Sequence, residues 1–128
     1  MHLLLTICSA DKDPSPEPLP AWKRYRSTRI SELYRRSHRE GLPLYILSGK
    51  LGLVAAEDMI PFYDHRLTMG EVAGLGATLA QRLQDLQASE VTFVARSRET
   101  PGWSPYWDVV ERACETVTGV RLIHENLS

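Results

Sequence analysis

The sequence predicts an α/β fold of three layers, with a four-stranded parallel sheet between two layers of helices. Four apolar runs of strand length lie at 2–8, 44–49, 91–96 and 120–125. These runs lack polar alternation, which is typical of strands that are covered on both faces. Helical patterns separate them, and right-handed crossovers in a β-α-β-α-β-α-β order produce a parallel sheet.

Three helices are predicted between the strands, over 27–40, 69–87 and 104–117. In each of them apolar residues recur at the spacing of one helical face. Before the second helix, Thr68 and Glu71 match the T-x-x-E capping box, in which each side chain satisfies a free backbone amide. A Ser-Pro pair opens the third helix, where proline fits the first turn.

Length and composition indicate one domain over 1–128, because the chain is 43% hydrophobic and 24% charged. The net charge of −1 gives no overall attraction to nucleic acid or membrane, although arginines cluster near 23–29 and 35–39. The apolar N-terminal run is too short to span a bilayer. Cys8 and Cys114 lack zinc-site spacing, so we expect free thiols, a cytoplasmic location, and neither metal nor cofactor.

Polar residues follow the first predicted strand, in the segment CSADK. Cys8 or Ser9 is a candidate nucleophile, because the positive charge of the nearby Lys12 would lower the pKa of its thiol or hydroxyl. The alternative is a small buried cysteine, a serine bonded within its own turn and a solvated lysine. Because parallel sheets bind ligands outside the carboxyl ends of their strands, the segment is a candidate for the site.

The second predicted strand ends in SGKLG, which has the composition of an anion site. Gly49 and Gly52 allow backbone amides to approach an anion, Ser48 precedes them, and Lys50 adds a positive charge. The spacing is not that of a P-loop. The alternative is a glycine turn with an exposed lysine.

The connection EDMIPFYDHRL is long, and such a connection inside a small domain is usually functional. We predict a binding loop over the strand ends that includes Tyr63 and Asp64. Asp64 has an alternative role as a local backbone cap, and His65 is predicted to be a surface residue. His124, after the fourth strand, belongs either to the same edge of the sheet or to a frayed terminus.

Together these motifs resemble a family of small microbial domains related to the YaaA peroxide-stress proteins and to the accessory domain of archaeosine synthase. The family pattern is Cys-Ser-x-x-Lys, Pro-Ala-x-x-Leu-Tyr-x-Ser, Leu-Ser-Ala-Lys-x-Gly-Leu and Pro-Tyr-Asp. This chain departs from it by a glycine at position 49 and by one additional residue, Phe62, before the Tyr-Asp pair. The matching positions are Cys8, Ser9, Lys12, Pro20, Ala21, Tyr25, Ser27, Leu47, Ser48, Lys50, Gly52, Leu53, Tyr63 and Asp64.

The resemblance implies a fold like that of uracil-DNA glycosylase and a ligand related to nucleic acids or modified guanines. It implies one pocket, in which lysines and amides hold a phosphate or carboxylate and a tyrosine stacks on a base. The residues expected to bind ligand are Ser9, Lys12, Tyr25, Ser27, Ser48, Gly49, Gly52 and Tyr63, and those expected in catalysis are Asp64, Cys8 and Lys50.

Three hypotheses follow for function. The leading one is a hydrolase of N-glycosidase type acting on a nucleotide, nucleoside or nucleobase-like ligand, in which Asp64 positions water or stabilises charge on the sugar. The second is a non-catalytic module that binds nucleic acid or nucleotide, aided by the arginines of the first helix. The third is a thiol enzyme with Cys8 as its nucleophile. The sequence predicts no oligomeric state.

Overall fold

The computed structural model describes residues 1–127; Ser128, the last residue of the C-terminal HENLS segment, lies outside them. The chain is mixed α/β. Its strands are β1 (His2–Ile7), β2 (Leu19–Pro20), β3 (Leu44–Ser48), β4 (Gly52–Ala55), β5 (Met59–Ile60), β6 (Glu90–Ala95) and β7 (Arg121–Asn126). Its helices are α1 (Ala21–Arg24), α2 (Thr28–Glu40), α3 (Val72–Asp85), which a 3-10 turn (Met69–Glu71) precedes, and α4 (Ser104–Thr116).

The central sheet has the strand order β4-β3-β1-β6-β7. All four predicted strands are present, and they pair in parallel as β3-β1-β6-β7. The predicted strand number was wrong, because β4 adds a fifth, antiparallel strand next to β3. Gly52 has φ +81°, which glycine adopts without strain, so the chain reverses after β3 and the apolar LVA segment pairs with it.

Helices cover both faces of the sheet. Along β1, the side chains of Leu3 and Leu5 belong to the core under α3 and α4, whereas Leu4 belongs to a second cluster with Leu33 of α2. Alternate residues of a strand point to opposite faces, so α2 lies on one face and α3 with α4 on the other. The similarity to uracil-DNA glycosylase stays a prediction. Within residues 1–127, each helix is too short or too polar to cross a bilayer.

One arginine of the predicted basic patch at 23–29 is part of the core. Arg24 has no exposed surface. Its guanidinium donates to the carbonyl oxygens of Asp13 (2.7 Å), Ser15 (2.9 Å) and Glu17 (2.6 Å), and to that of Ile60 (3.3 Å). The side chain therefore connects the proline-rich loop to β5 and does not contribute to a basic surface patch.

The long connection after β3 is more ordered than a single binding loop. Its first part is the hairpin to β4, and Ile60 of β5 then pairs with Leu19 of β2. Only the segment from about residue 61 to 68 has no regular structure. The hairpin and the small two-stranded sheet fix both ends of that segment, which carries Tyr63 and Asp64.

Candidate functional site

A cavity of about 570 Å³ opens at the carboxyl edge of the sheet, beyond the end of β1. The chain leaves β1 towards β3 on one side and later returns to β6 on the other, and such a change of direction in a parallel sheet leaves a crevice at the strand ends. We call it the strand-end cavity. Its lining includes Cys8, Ser9, Lys12, Arg29, Asp64, His65, Arg66, Trp103, Pro105 and Tyr106.

Four of the predicted site residues meet in this cavity. Cys8, Ser9 and Lys12 follow β1, and Asp64 comes from the connection fifty residues later. The Ser9 hydroxyl donates to the carbonyl oxygen of Asp11 over 2.8 Å, which is the local turn bond considered as its alternative role. Asp64 is exposed at the cavity. Two segments that are distant in sequence therefore converge at one edge of the sheet.

Three other predicted residues form a buried hydroxyl network beside the cavity. The Tyr63 hydroxyl lies 2.6 Å from that of Tyr25 and 2.7 Å from Ser48 Oγ. Tyr25 is 1% exposed, Tyr63 4% and Ser48 not at all. Burial raises the pKa of Tyr25 to about 12 and that of Tyr63 still further. Neither ring has an open face on which a base could stack, so their predicted stacking role does not fit this structure.

The hydroxyl network lies between the side chain of Lys12 and the backbone of Lys50. The ammonium of Lys12 lies 4.6 Å from the centre of the Tyr63 ring, an arrangement that favours a cation. At the other end, Ser48 Oγ accepts from the backbone amides of Lys50 (3.2 Å) and Leu51 (3.0 Å). The Lys50 side chain is exposed and does not line the strand-end cavity, whereas Lys12 does.

The glycines and Ser27 have local structural roles. Gly52 provides the left-handed turn before β4. At Gly49, a Cβ atom would lie 3.2 Å from both Leu67 Cβ and the Tyr106 hydroxyl, so the glycine permits close packing against the cavity wall. Ser27 caps α2, since its hydroxyl accepts from the amide of Ile30 over 3.2 Å. None of the three lines the strand-end cavity.

Arg29 lines the cavity although it was not among the predicted site residues. Its guanidinium donates to Thr6 Oγ1 and, over 2.9 Å, to the carbonyl oxygen of Ile7. It also lies 5.3 Å from the Trp103 ring. Burial lowers the pKa of Arg29 to about 10. Within residues 1–127 it forms no ion pair with a carboxylate.

A signal for Arg29 was present in the sequence. The helix that follows a strand in a β-α-β unit starts at the carboxyl edge of the sheet, so residues in its first turn lie near the strand ends. Arg29 is the second residue of α2, two positions after the Ser27 cap. Grouping it with the neighbouring basic residues as a surface cluster concealed its position.

Cys8 and Tyr106 are in contact at the cavity wall. Cys8 Sγ lies 3.3 Å from the Tyr106 hydroxyl, and both residues are partly exposed. Burial and the proximity of Cys8 raise the pKa of Tyr106. The phenol therefore stays protonated and is able to donate to the sulfur. By contrast, Cys114 is buried in the core, and burial raises its pKa to about 11.

His65 also belongs to the cavity, although it was predicted to be a plain surface residue. Its Nε2 lies 2.9 Å from a carboxylate oxygen of Glu71. Glu71 in turn accepts from the amide and the hydroxyl of Thr68, each over 2.9 Å, which confirms the predicted capping box. The backbone bond from Thr68 lowers the pKa of Glu71. A helix cap thus orients a histidine beside Asp64.

His124 lies away from the strand-end cavity. It is inside β7 rather than after it and pairs with Phe93. Its Nε2 is 3.0 Å from the carbonyl oxygen of Ala95, and its ring meets Trp107 edge-on at 4.6 Å. Its role is therefore one of packing. Across the described residues 1–127, no cluster of three or more His, Cys, Asp or Glu side chains could hold a metal ion.

Comparisons with known proteins give little further information. The sequence matches no protein-family model and no curated protein. Among solved structures, the macrodomain of Thermus aquaticus DarG is similar over 99% of both chains, with 14% identity and a TM-score of 0.41. Similarity at this level does not establish a shared function, so the site is interpreted from its own geometry.

Proposed function

We propose that the chain binds a phosphate-bearing nucleotide in the strand-end cavity, with Arg29 as the principal anion-binding residue. The observation that supports this is a partly buried guanidinium that faces a cavity and forms no ion pair in residues 1–127. Burying a cation is costly unless an anion compensates it. A bound phosphate would supply that anion, and the fixed fork of an arginine matches its oxygens.

The charges of the cavity favour a phosphate over a neutral ligand. Lys12 and Arg66 add two cations to Arg29, and Asp64 is the exposed carboxylate among the lining residues. The volume of about 570 Å³ is within the usual range for small-molecule sites. Pro105 and Tyr106 also line the cavity and provide a less polar wall suitable for a base or a sugar.

The chemistry that we assign to this site is hydrolysis of N-glycosidase type. In this reaction water adds to the anomeric carbon, the bond to the base nitrogen breaks, and the base leaves with a proton. Asp64 would stabilise positive charge on the sugar or orient the water. His65, held by Glu71, would accept the proton of the water, and this proton would then pass to the departing base, so that His65 returns to its starting state. Kinship with the YaaA proteins belongs to the same proposal and is supported by the meeting of Cys8 and Lys12 with Asp64.

A thiol mechanism is the second candidate, because Cys8 Sγ lines the same cavity and contacts the Tyr106 hydroxyl. A cysteine thiolate beside a guanidinium is a suitable nucleophile. In that mechanism Cys8 would form the covalent bond to the substrate and Arg29 would stabilise its negative charge. Cys8→Ser distinguishes the two candidates, since it abolishes a thiol reaction and leaves hydrolysis through Asp64 in place.

Calorimetric titration with adenosine and guanosine monophosphates, and with the corresponding nucleosides, tests the binding. We expect monophosphates to bind more tightly than nucleosides, and Arg29→Met to weaken monophosphate binding at least tenfold. Arg112→Met, on the exposed side of α4, is the matched control and should bind normally. Equal affinity of wild type and Arg29→Met for every nucleotide would refute the proposal.

Chromatography of incubated nucleotides and nucleosides tests the reaction. Free base should appear with the wild type and be lost in Asp64→Asn, while the monophosphate still binds this variant. Persistence of base release in Asp64→Asn would exclude the assigned role of Asp64. Loss of release in Cys8→Ser alone would favour the thiol mechanism.

A further inference from the structure

A second concave surface lies on the α2 face of the sheet and is rich in arginine. It has a volume of about 570 Å³ and runs between α2 and the ends of β6 and β7. We call it the arginine groove. Its lining includes the five arginines Arg29, Arg35, Arg36, Arg39 and Arg96.

The arginine groove and the strand-end cavity share Arg29 as a lining residue. From Arg29 to Arg39 the groove follows ten residues of α2, a length of about 15 Å. At its side, Arg35 also borders a shallow depression that contains Trp22 and Lys23. Arginines thus recur from the strand-end cavity along one helix of a protein whose net charge is −1.

Part of this positive charge is compensated within the protein. Glu125 accepts two hydrogen bonds from Arg36, and Glu40 lies 2.9 Å from the same guanidinium. Glu32 is a further carboxylate in the lining. Arg35 and Arg96 form no ion pair within residues 1–127, and Arg39 only approaches Glu40, at 3.9 Å. These three side chains and Arg29 are therefore available to an external anion.

We propose that the arginine groove binds the phosphate backbone of a single-stranded nucleic acid, and that one nucleotide of this strand enters the strand-end cavity. This inference rests on the proposed function and specifies its substrate as part of a polynucleotide. Guanidinium groups bind phosphate oxygens in a planar, paired geometry, and several of them along α2 provide contacts for more than one phosphate. A strand continuing through Arg29 would give that residue a phosphate partner.

A partly exposed aromatic residue near the groove favours nucleic acid over an acidic peptide. The Trp22 ring is stacked on Tyr34, with centroids 4.4 Å apart and planes 8° from parallel. The Lys23 ammonium lies 5.4 Å from the same tryptophan ring. Basic groups interleaved with a stacking surface are typical of single-strand binding, in which a base takes the place of the lysine on the ring.

The test compares a nucleotide with a strand. Fluorescence anisotropy measures binding of a labelled single-stranded DNA or RNA of about 10 nucleotides, and calorimetry measures binding of the monophosphate. We expect Arg35→Glu/Arg39→Glu to weaken strand binding at least tenfold and to leave monophosphate binding unchanged. Arg82→Glu/Arg112→Glu is the control, because it changes the net charge equally on the opposite face, in α3 and α4.

The salt dependence provides a second measurement. Contacts with three or four phosphates give a slope of log affinity against log salt of about −2 to −3 for a single strand. In Arg35→Glu/Arg39→Glu, the groove variant, the magnitude of this slope should fall by about 1.4, since two phosphate contacts are lost. A duplex of the same length should bind at least tenfold more weakly, because its paired bases do not enter the strand-end cavity.

The different failures are distinguishable. A strand that binds no more tightly than the monophosphate, or equally to the groove variant and the control variant, would refute the groove and leave the proposed function intact. Equal binding of duplex and single strand would also refute it. A different result would refute the proposed nucleotide site: the wild type binds the strand but not the monophosphate, and the groove variant no longer binds the strand.

Discussion

The guanidinium of Arg29 donates to the carbonyl oxygen of Ile7 over 2.9 Å, so a cation from α2 lies across the end of the central strand β1. Burial lowers the pKa of Arg29 to about 10, because the charged form is less well solvated here than in water. Such an arrangement contributes little to folding, because the desolvation of a charge offsets the hydrogen bonds that it makes. We therefore associate Arg29 with ligand binding rather than with stability.

The first prediction follows from this balance. Arg29→Met should change the free energy of unfolding by less than about 1 kcal/mol in urea denaturation, because a partly buried charge is removed together with its hydrogen bonds. Thr6 Oγ1 retains its bond to the carbonyl oxygen of Val94. A loss of several kcal/mol would show that Arg29 is a structural residue, and its assignment to an anion site would then lose its physical basis.

Arg24 should behave in the opposite way. Its guanidinium is fully buried and donates to four carbonyl oxygens, so Arg24→Met removes four hydrogen bonds and takes this donor from the buried carbonyl of Ile60. We expect a loss of about 3 kcal/mol or more in the free energy of unfolding. Limited proteolysis should then cut the proline-rich loop at 13–20. Arg26→Met, at an exposed neighbouring position, is the control and should leave both measurements unchanged.

Periodicity in the sequence was sufficient to predict the parallel strands. The runs at 2–8 and 91–96 became β1 and β6 with their ends shifted by at most one residue, because buried strands are continuous apolar segments whatever their partners. The pattern could not predict β4. The LVA segment is short, and its pairing depends on the turn at Gly52, whose positive φ is visible only in three dimensions.

The composition of the site was harder to predict than the fold. The clustering of polar residues at strand ends predicted that Cys8, Lys12 and Asp64 lie near one another, because parallel strands end at the same edge of a sheet. All three line the strand-end cavity. Sequence alone could not tell that Tyr63 would be buried against Tyr25 and Ser48, since a tyrosine in a loop is equally suited to a binding site and to a core. The first turn of α2 could have placed Arg29 at the strand ends, whereas its contact with Trp103, from a distant segment, could not be predicted from the sequence.

Alkaline pH should destabilise the protein through the hydroxyl network. The folded pKa of Tyr25, about 12, exceeds the usual value of 10.0, so this tyrosine contributes stability below pH 10 that is lost as the pH rises towards 12. A shift of this size corresponds to about 3 kcal/mol. Arg29 acts in the opposite direction over the same range, since its pKa is lowered.

Comparison with Tyr25→Phe isolates the tyrosine contribution. The free energy of unfolding of each protein is measured in urea at several pH values. Between pH 9.5 and 12, the value for the wild type should fall by about 2 to 3 kcal/mol more than the value for Tyr25→Phe. The variant keeps the ring and removes the ionisable group. Parallel pH profiles for the two proteins would mean that Tyr25 is not held neutral by the fold.

The two thiols should differ strongly in reactivity. Cys8 is partly exposed at the strand-end cavity, whereas Cys114 is buried and its pKa is raised to about 11. With a disulfide reagent at pH 8, we expect one thiol of the folded chain to react rapidly and Cys8→Ser to abolish this phase. Tyr106→Phe should lower the rate a few-fold, because the reactive thiolate loses the hydrogen bond that the phenol donates to the sulfur. Rapid reaction of Cys114 in the folded protein would contradict the packing of α4.

Gly49→Ala tests how tightly the hairpin turn packs against the cavity wall. The new Cβ would lie 3.2 Å from Leu67 Cβ and from the Tyr106 hydroxyl, so both must move slightly. We expect a loss of about 1 kcal/mol in the free energy of unfolding. Displacement of the Tyr106 hydroxyl should also weaken its bond to the Cys8 sulfur and lower the rate of Cys8 modification, as in Tyr106→Phe.

Gly74→Ala is the matched control for that substitution. Gly74 lies inside α3, and the Cβ of an alanine there would meet no atom of another element within 4 Å. The alanine should therefore stabilise the helix by up to about 1 kcal/mol and leave the Cys8 rate unchanged. Opposite signs for the two glycines would show that the turn at Gly49 is closely packed. If Gly49→Ala were as stabilising as Gly74→Ala, the Tyr106 side chain would have room to move away, and its contact with Cys8 would be no constraint on the thiol.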